Sequence, residues 1–413
     1  DKKKIIISSQ ARTISKIVNS DIDMSSKGIY DFLGNLISKD TIYKNIYSFE
    51  PGKINIINES NNIKSETLEN IFDQNFFSKN TNINDVKESL YSSIRENLVS
   101  DVEVSLLFSS GFDSNIIAEN LPDNQYKLFT ISTIMNSEKQ NEIKNAEILA
   151  SFHGKKFISH EYKLNEIIEL KKMFFNSMDL PTIDGLNTFL TSHLINKHNI
   201  KVALSGVGGD EYFGTYDTFR IIPNIIFFNK FLKNKNLNRF IKKIILKFFN
   251  KEKIKLILNI SNTIENLYFS KRAMSSDINK FINFQNILEE KRISKEIFEI
   301  INLDCSDKLK ITLLELKFYC KDRLLRDIDW ASMSNSIEVR VPFLNKSFHR
   351  NICAYMLNSE KKIYKSEFIK SDILKKKLIT FKKQGFYVPY IDYENRIKTN
   401  QSKYGDYVLK NFR

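Results

Sequence analysis

Two short stretches carry residue types that could do chemistry. The first runs from the apolar Val104-Ser105-Leu106-Leu107-Phe108 into Ser109, Ser110, Gly111, Phe112, Asp113 and Ser114. The second runs from Lys201-Val202-Ala203-Leu204 into Ser205, Gly206, Val207, Gly208, Gly209, Asp210 and Glu211. Each reads as a buried parallel strand that enters a tight small-residue turn and then a helix. The first N–H groups of a helix lack intrahelical partners, and the helix dipole favours negative charge there. Ser109, Ser110 and Ser114 add hydroxyl donors, and Gly111 lets the backbone approach a phosphate closely. Asp113 would repel that phosphate unless a Mg²⁺ lies between them. One such turn is a weak signal, because small residues after a strand also serve packing. Two turns at the ends of neighbouring strands would bring Asp113 and the Asp210–Glu211 pair around one metal. The expected chemistry is a nucleotide phosphate site with its own metal ligands.

The elements around these turns read as α/β. Residues 84–99 fit an amphipathic helix with Val86, Leu90, Ile94 and Leu98 on one face. A strand at 127–133 follows, then a helix at 138–152 with Ile143, Ala146, Ile148, Leu149 and Phe152 as apolar positions, and a short strand at 156–158. A helix near 188–198 precedes the second turn, and the spacing beyond 215 is mostly helical. Alternation of this kind predicts a doubly wound parallel sheet with ligands at the carboxyl ends of its strands, plus a helical C-terminal part. Ahead of it, Ile5-Ile6-Ile7-Ser8-Ser9 is strand-like, 26–38 is helical, and Glu50-Pro51-Gly52-Lys53 is a turn before the strand Ile54-Asn55-Ile56. The polar stretch 57–66 reads as a linker and places a domain boundary there.

A chain of 413 residues suggests two or three domains, and its 42% apolar and 27% charged content is ordinary for a soluble globular protein. The Ile- and Phe-rich run at 221–228 is far short of membrane-spanning length, and the basic, then apolar, start has no cleavage-type sequel. Cys305, Cys320 and Cys353 have no paired spacing, which argues against a disulfide framework or a zinc site and makes a reducing cytoplasm the simplest location. Cys320 and Cys353 read as core thiols, and His153 and His160 as ordinary surface or edge residues without a partner at ligand spacing. Of the net charge of +14, about two-thirds sits in residues 221–260, where ten cationic side chains face Glu252 alone. The plainer account of that segment is the solvated face of amphipathic helices; the other is contact with a membrane surface or a protein partner.

Ser109-Ser110-Gly111-Phe112-Asp113-Ser114 resembles the S-G-G-x-D-S pyrophosphate loop of ATP pyrophosphatases, with Ser110 at the first glycine. Four further stretches extend the resemblance to the asparagine synthetase family. Asp179 to Asn187 resembles its D-x-P segment, and Leu204 to Gly214 resembles L-S-G-x-G-x-D-E-x-F-G. Asp329 to Leu344 resembles D-x-x-S-M-x-x-x-x-E-x-R-x-P-F-L, and Lys383-Gln384-Gly385-Phe386 resembles K-x-G-F. The resemblance implies a sheet of the adenine nucleotide alpha-hydrolase (PP-loop) type in a synthetase domain at 67–413, with a basic helical insertion at 215–300. Residues 1–60 would be the β-rich end of a class II glutaminase-like domain. It implies ATP-dependent amidation of a carboxylate, such as aspartate to asparagine, through an acyl-adenylate that ammonia resolves. ATP would contact Leu107, Ser109, Ser110, Gly111, Asp113, Ser114, Ile131, Ser205 and Gly206, with Leu107 and Ile131 flanking adenine. Asp113 and Asp210 would hold Mg²⁺. Lys383 would be the catalytic cation, a point charge for oxygens gaining charge in the transition state, with Glu211 as a further catalytic candidate. Glu338 would touch substrate or, with Arg340, form an ion pair that buttresses the helix carrying Ser332 and Met333.

Two departures matter. Glutamine-hydrolysing members carry an N-terminal cysteine nucleophile, whereas this sequence has no cysteine before Cys305, so ammonia would come from a glutaminase domain or subunit elsewhere. Val207 stands where asparagine synthetases carry a carboxylate and β-lactam synthetases a tyrosine. Valine neither accepts a proton nor hydrogen-bonds, which opens the site to acids other than aspartate, a carboxylated sugar or a peptide carboxylate being substitutes, unless Glu211 supplies the function. A tRNA-modifying ATP pyrophosphatase shares the first loop and would use the positive charge, but the later motifs belong to the synthetase pattern and no nucleic acid is expected. A nucleotide-binding scaffold docked through 221–260 is the non-enzymatic alternative, and an oligomer is open. The purified 413-residue chain should form amide from ammonia and release none from glutamine; glutamate production from glutamine by that preparation would overturn the second half of this expectation.

Overall fold

The computed structural model describes residues 4–58, 63–77, 80–122, 126–133, 140–231, 256–257, 260, 263–359, 361–381, 391–392, 397–398 and 400–412. Lys53–Ile57 (β1) and Ile63–Thr67 (β2) form an antiparallel hairpin in which Lys53 faces Thr67 and Ile57 faces Ile63. The stretch expected as a linker therefore supplies a paired strand from Ile63 onward. β2 is exposed along its whole length, so it needs none of the apolar alternation by which a half-buried strand is recognised. Ile5, Ile6 and Ile7 form no strand and are exposed. β-Branched residues favour a strand only where a pleated neighbour receives them, and none pairs with this stretch among the described residues. The helix expected at 26–38 is Met24–Leu33. Asp23 caps it by accepting from the Ser26 N–H, and Gly34, at φ +80°, ends it.

Five parallel strands form the central sheet: Val104–Leu107 (β3), Lys127–Thr133 (β4), Lys156–Tyr162 (β5), Val202–Leu204 (β6) and Glu338–Arg340 (β7), in the order β5-β4-β3-β6-β7. Alternate residues enter different cores, as a sheet covered on both faces requires. Val104, Leu106, Leu128, Val202 and Leu204 pack with Ile116 and Ile117 of the helix Phe112–Glu119. Phe129, Ile131 and Ala203 pack with Phe189, Leu190 and Ile195 of the helix Leu186–Lys197. The chain leaves β3 toward β4 on one side and later adds β6 on the other. The strand order thus reverses between β3 and β6, where doubly wound sheets bind ligands.

The helices flanking β3 and β4 differ from expectation in detail. Ile83–Glu96 buries Val86, Leu90 and Ile94, while Leu98 lies just past its end. Gln140–Phe152 buries Ala146, Leu149 and Ala150, but Ile148 and Phe152 are each 43% exposed. Ile148 is two residues from Ala146, off the i, i+3, i+4 stripe that meets the sheet. After residue 215 the described chain is mainly helical. It includes an eleven-residue π-helical stretch, Glu315–Leu325, continuous with the α-helices Asp307–Leu314 and Arg326–Met333. Most of the basic 221–260 segment, from 232 to 255, lies outside the described residues. Cys320 and Cys353 are buried, as expected. Among the described residues no helix is long and apolar enough to cross a membrane. Leu106→Ala, at a fully buried sheet position, should cost about 2–5 kcal/mol of unfolding free energy. Ile148→Ala should cost under about 0.5 kcal/mol, and urea denaturation of the two variants decides between the observed and the expected faces of that helix.

Candidate active site

The carboxyl ends of β3 and β6 lie side by side, with Leu106 in register with Leu204. The first turn is tied by its own side chains. Ser114 Oγ accepts from the Ser109 N–H at 3.1 Å, Gly111 N–H donates to Ser109 Oγ at 3.2 Å, and Asn115 Nδ2 donates to the Gly111 carbonyl at 2.8 Å. Thr130 on β4 donates to the Phe108 carbonyl at 2.7 Å and holds the end of β3 from the next strand. His153 also serves this turn: its Nε2 lies 2.9 Å from Asn115 Oδ1, and burial lowers its pKa to about 4, so the ring is neutral.

The second turn is anchored from β7, whose Arg340 carbonyl accepts the Ser205 N–H at 2.8 Å. Its glycines let it close on the first. A Cβ at Gly206 would stand 2.8 Å from Asp113 Cβ and 3.2 Å from the Ser114 nitrogen, and one at Gly209 would collide with the Asp113 carboxylate. Only glycine allows that approach.

A cavity of about 270 Å³ opens over the two turns. Of the residues expected at ATP, it is lined by Leu107, Ser109, Asp113, Ser114, Ile131, Ser205 and Gly206. Ser110 and Gly111 are not on its wall: Ser110 is buried and its hydroxyl donates to Glu142 Oε1 at 3.0 Å. A carboxylate thus rests on donors that the sequence assigns to an anion. Glu142, in the first turn of Gln140–Phe152, carries no sequence signal that sets it apart.

Asp113 and Asp210 converge on one positive charge. Lys365 Nζ donates to Asp113 Oδ2 at 2.6 Å and also to Asp210 Oδ1. Lys365 is buried at the start of the 3₁₀ turn Lys365–Phe368, which is fixed by Phe368 packing edge-on against Phe213 at 5.1 Å. No sequence signal marks it, because it is one lysine among many between 361 and 377. Its neighbour in expectation, Lys383, lies outside the described residues. No group of three or more His, Cys, Asp or Glu residues arranged for a metal occurs among the described residues. Two carboxylates meeting around a single cation nonetheless fit Mg²⁺, which takes one or two protein carboxylates and completes its shell with phosphate oxygens and water.

Glu211 also reaches the pocket and is fully buried. Burial first, and the charge of Asp210 second, raise its pKa to about 7, against a hydrogen bond of 2.8 Å from the Tyr216 hydroxyl. Val207 lines the same cavity, half-buried. Glu338 is not brought there. It begins β7 opposite Val202, at the end of the sheet away from the turns, and pairs with Arg340 at 2.7 Å. The expected ion pair exists, yet Arg340 braces a different element, donating to the Asn97 and Val99 carbonyls at 2.8 and 2.7 Å.

The family model for asparagine synthase matches residues 85–399, which takes in both turns, Lys365 and Lys383. The chain belongs to the asparagine synthase family. It is similar to asparagine synthetase [glutamine-hydrolyzing] 1 of Bacillus subtilis, 23% identical over 356 residues, covering 80% of this chain and 53% of that protein. A putative asparagine synthetase of Methanocaldococcus jannaschii is 26% identical over 366 residues, 83% of this chain and 68% of that protein. Amidase chry2 of Gibberella zeae is 23% identical over 208 residues, 45% of this chain and 31% of that protein. The chain therefore spans about half the length of the Bacillus relative. In this asparagine synthase family member Gly206→Ala should push Asp113 and the first turn away from the second and cost about 1–3 kcal/mol of unfolding free energy. Urea denaturation checks this, and unchanged stability would contradict the close approach of the turns.

Proposed function

We propose that the cavity binds ATP with Mg²⁺ and activates a carboxylate as an acyl-adenylate, which ammonia converts to an amide. The observation that carries this reading is the meeting of Asp113, Asp210 and Lys365 at the strand reversal, beside a pocket walled by Leu107 and Ile131. The substrate carboxylate oxygen attacks the α-phosphorus and the bond to pyrophosphate breaks. Ammonia then adds to the acyl carbon, the bond to AMP breaks, and one proton leaves the nitrogen.

Leu107 and Ile131 supply apolar walls for the adenine, and the donors of Ser109 to Ser114 face the pyrophosphate once Glu142 yields them. Asp113 and Asp210 would hold Mg²⁺, whose charge offsets that of the departing pyrophosphate. Lys365 keeps the two carboxylates together and offers the phosphate oxygens a second positive charge. Glu211, positioned by Tyr216, is the proposed acceptor of the amine proton, and Lys383 remains a proposed catalytic cation on the strength of its motif. Ammonia would come from a glutaminase domain or subunit, and residues 1–60 and 67–413 are proposed as the two domain segments. The intact acidic pair argues against a scaffold that has lost its chemistry.

A second reading concerns the acid. Val207 presents no proton acceptor or hydrogen bond to the cavity. With Glu211 as the proton acceptor, what Val207 still lacks is a hydrogen bond to the substrate, and on that observation we favour a carboxylate other than aspartate, a sugar or peptide carboxylate. Pyrophosphate release with ATP, Mg²⁺, ammonia and a panel of acids, aspartate first, tests both readings. Turnover of another acid with little from aspartate is expected; efficient turnover of aspartate would overturn the argument from Val207. In the same assay Asp210→Asn should lower the rate at least about a hundredfold, and an active variant would remove the metal role.

A further inference from the structure

A second cavity, of about 680 Å³, adjoins the back of the second turn. Its floor is apolar, formed by Tyr212, Leu316, Cys320, Leu325 and Leu344. His349 closes that floor as a neutral ring. Its Nδ1 lies 2.9 Å from the Tyr212 hydroxyl and its Nε2 2.6 Å from the Ile71 carbonyl, and burial lowers its pKa to about 4.

The rim is basic, with five lysines (Lys39, Lys53, Lys317, Lys321 and Lys346) against Glu50, Glu69 and Glu296. Each glutamate already has a lysine: Lys53 at 2.7 Å from Glu50, Lys317 at 3.0 Å from Glu296, and Lys346 on Glu69. Lys39 and Lys321 add to this, and both act with Lys53 to lower the pKa of Glu50, the Lys53 hydrogen bond contributing most. Lys321 also lies 3.2 Å from Asp322, so the net positive charge at this end is that of Lys39, which lies with Lys53 and Lys321 near Glu50.

An apolar floor of ligand size with a cationic end is complementary to a molecule of matching polarity. We propose that this cavity binds a small amphiphilic anion, with an aliphatic body on the floor and a carboxylate or phosphate head at Lys39, Lys53 and Lys321. Occupancy is coupled to the nucleotide pocket through consecutive residues. Glu211 and Leu324 line the pocket, while Tyr212 and Leu325 line this cavity. Leu344 also backs the second turn, with its Cδ2 2.7 Å from where a Cβ on Gly208 would stand. A body on the floor restrains the turn that carries Asp210, so it favours the nucleotide-bound arrangement. This coupling rests on the ATP reading of the pocket; the binding site does not.

Isothermal titration of the 413-residue chain with decanoate and decyl phosphate below their micellar concentrations, and with decanol below its solubility limit, tests the proposal. The anions should bind at one site with a negative heat-capacity change, at least about tenfold more tightly than decanol. A preference between the two heads assigns the ligand to the fatty acids or to phosphorylated lipids. Lys39→Glu combined with Lys321→Glu should weaken both anions at least about tenfold and leave decanol unchanged, with circular dichroism confirming the fold. Equal binding of decanol, no saturable binding, or anion binding that survives the double substitution overturns the site; the last result would place the anions on other lysines, such as those of 221–260. Saturating decanoate should tighten ATP at least about threefold, with ATP tightening decanoate equally. Unchanged or weaker ATP binding overturns the coupling. Failure of ATP to bind with or without decanoate counts against the nucleotide reading and leaves the cavity standing.

Discussion

Two carboxylates are held together at the reversal of strand order by one buried ammonium, and much of the structure serves that contact. Asp113 and Asp210 belong to turns almost a hundred residues apart in the chain, and their charges would repel in a site sheltered from water. Lys365 offsets that repulsion by bonding to both. The arrangement costs desolvation of three charges and is kept only because each has a partner. It also explains the glycines of the second turn, since Gly206 and Gly209 leave the space that Asp113 fills.

Around this contact, the helical part of the chain delivers polar groups by a rigid route. Tyr216 reaches Glu211 while lying under the Arg272 guanidinium, 4.3 Å from its ring centroid. Arg272 is in turn paired at 2.6 Å with the fully buried Glu315, which also accepts from Thr218 at 2.6 Å. Glu315 opens the π-helical stretch, whose far end places Leu324 on the cavity over the two turns and Leu325 on the basic-rimmed cavity. A wider helical turn is seldom stable by itself and tends to occur at functional sites. Here the Glu315 carboxylate at its start accepts from Thr218, Tyr268 and Arg272, all on other helices.

Much of the fold was legible because its signals are local. β4 spans the residues expected of it, β6 stops at the small residues that follow it and β3 one residue short of them, and the sheet is parallel as the alternation of strands and helices implies. The structure departs from the sequence pattern where pairing or packing decides. Ile5 to Ile7 have strand-forming side chains but no strand beside them among the described residues, and β2 is polar yet paired. Ile148 looks like a core residue by type and faces solvent by angle.

The site divides in the same way. Sequence by itself determined the two turns, their serines, glycines and acidic residues, and hence a polar pocket at the carboxyl ends of two neighbouring strands. A turn after a strand needs particular small residues to form, and those residues are contiguous. Tertiary structure alone decided that Lys365 joins Asp113 to Asp210, that Glu142 rests on Ser110, that Tyr216 holds Glu211, and that Glu338 stays at the opposite end of its strand. Nothing local distinguishes Lys365, Glu142 or Tyr216 from the many other lysines, glutamates and tyrosines of the chain. Each acquires its role from a partner brought close by the winding of the sheet, and that proximity is a property of the folded chain rather than of any segment in it.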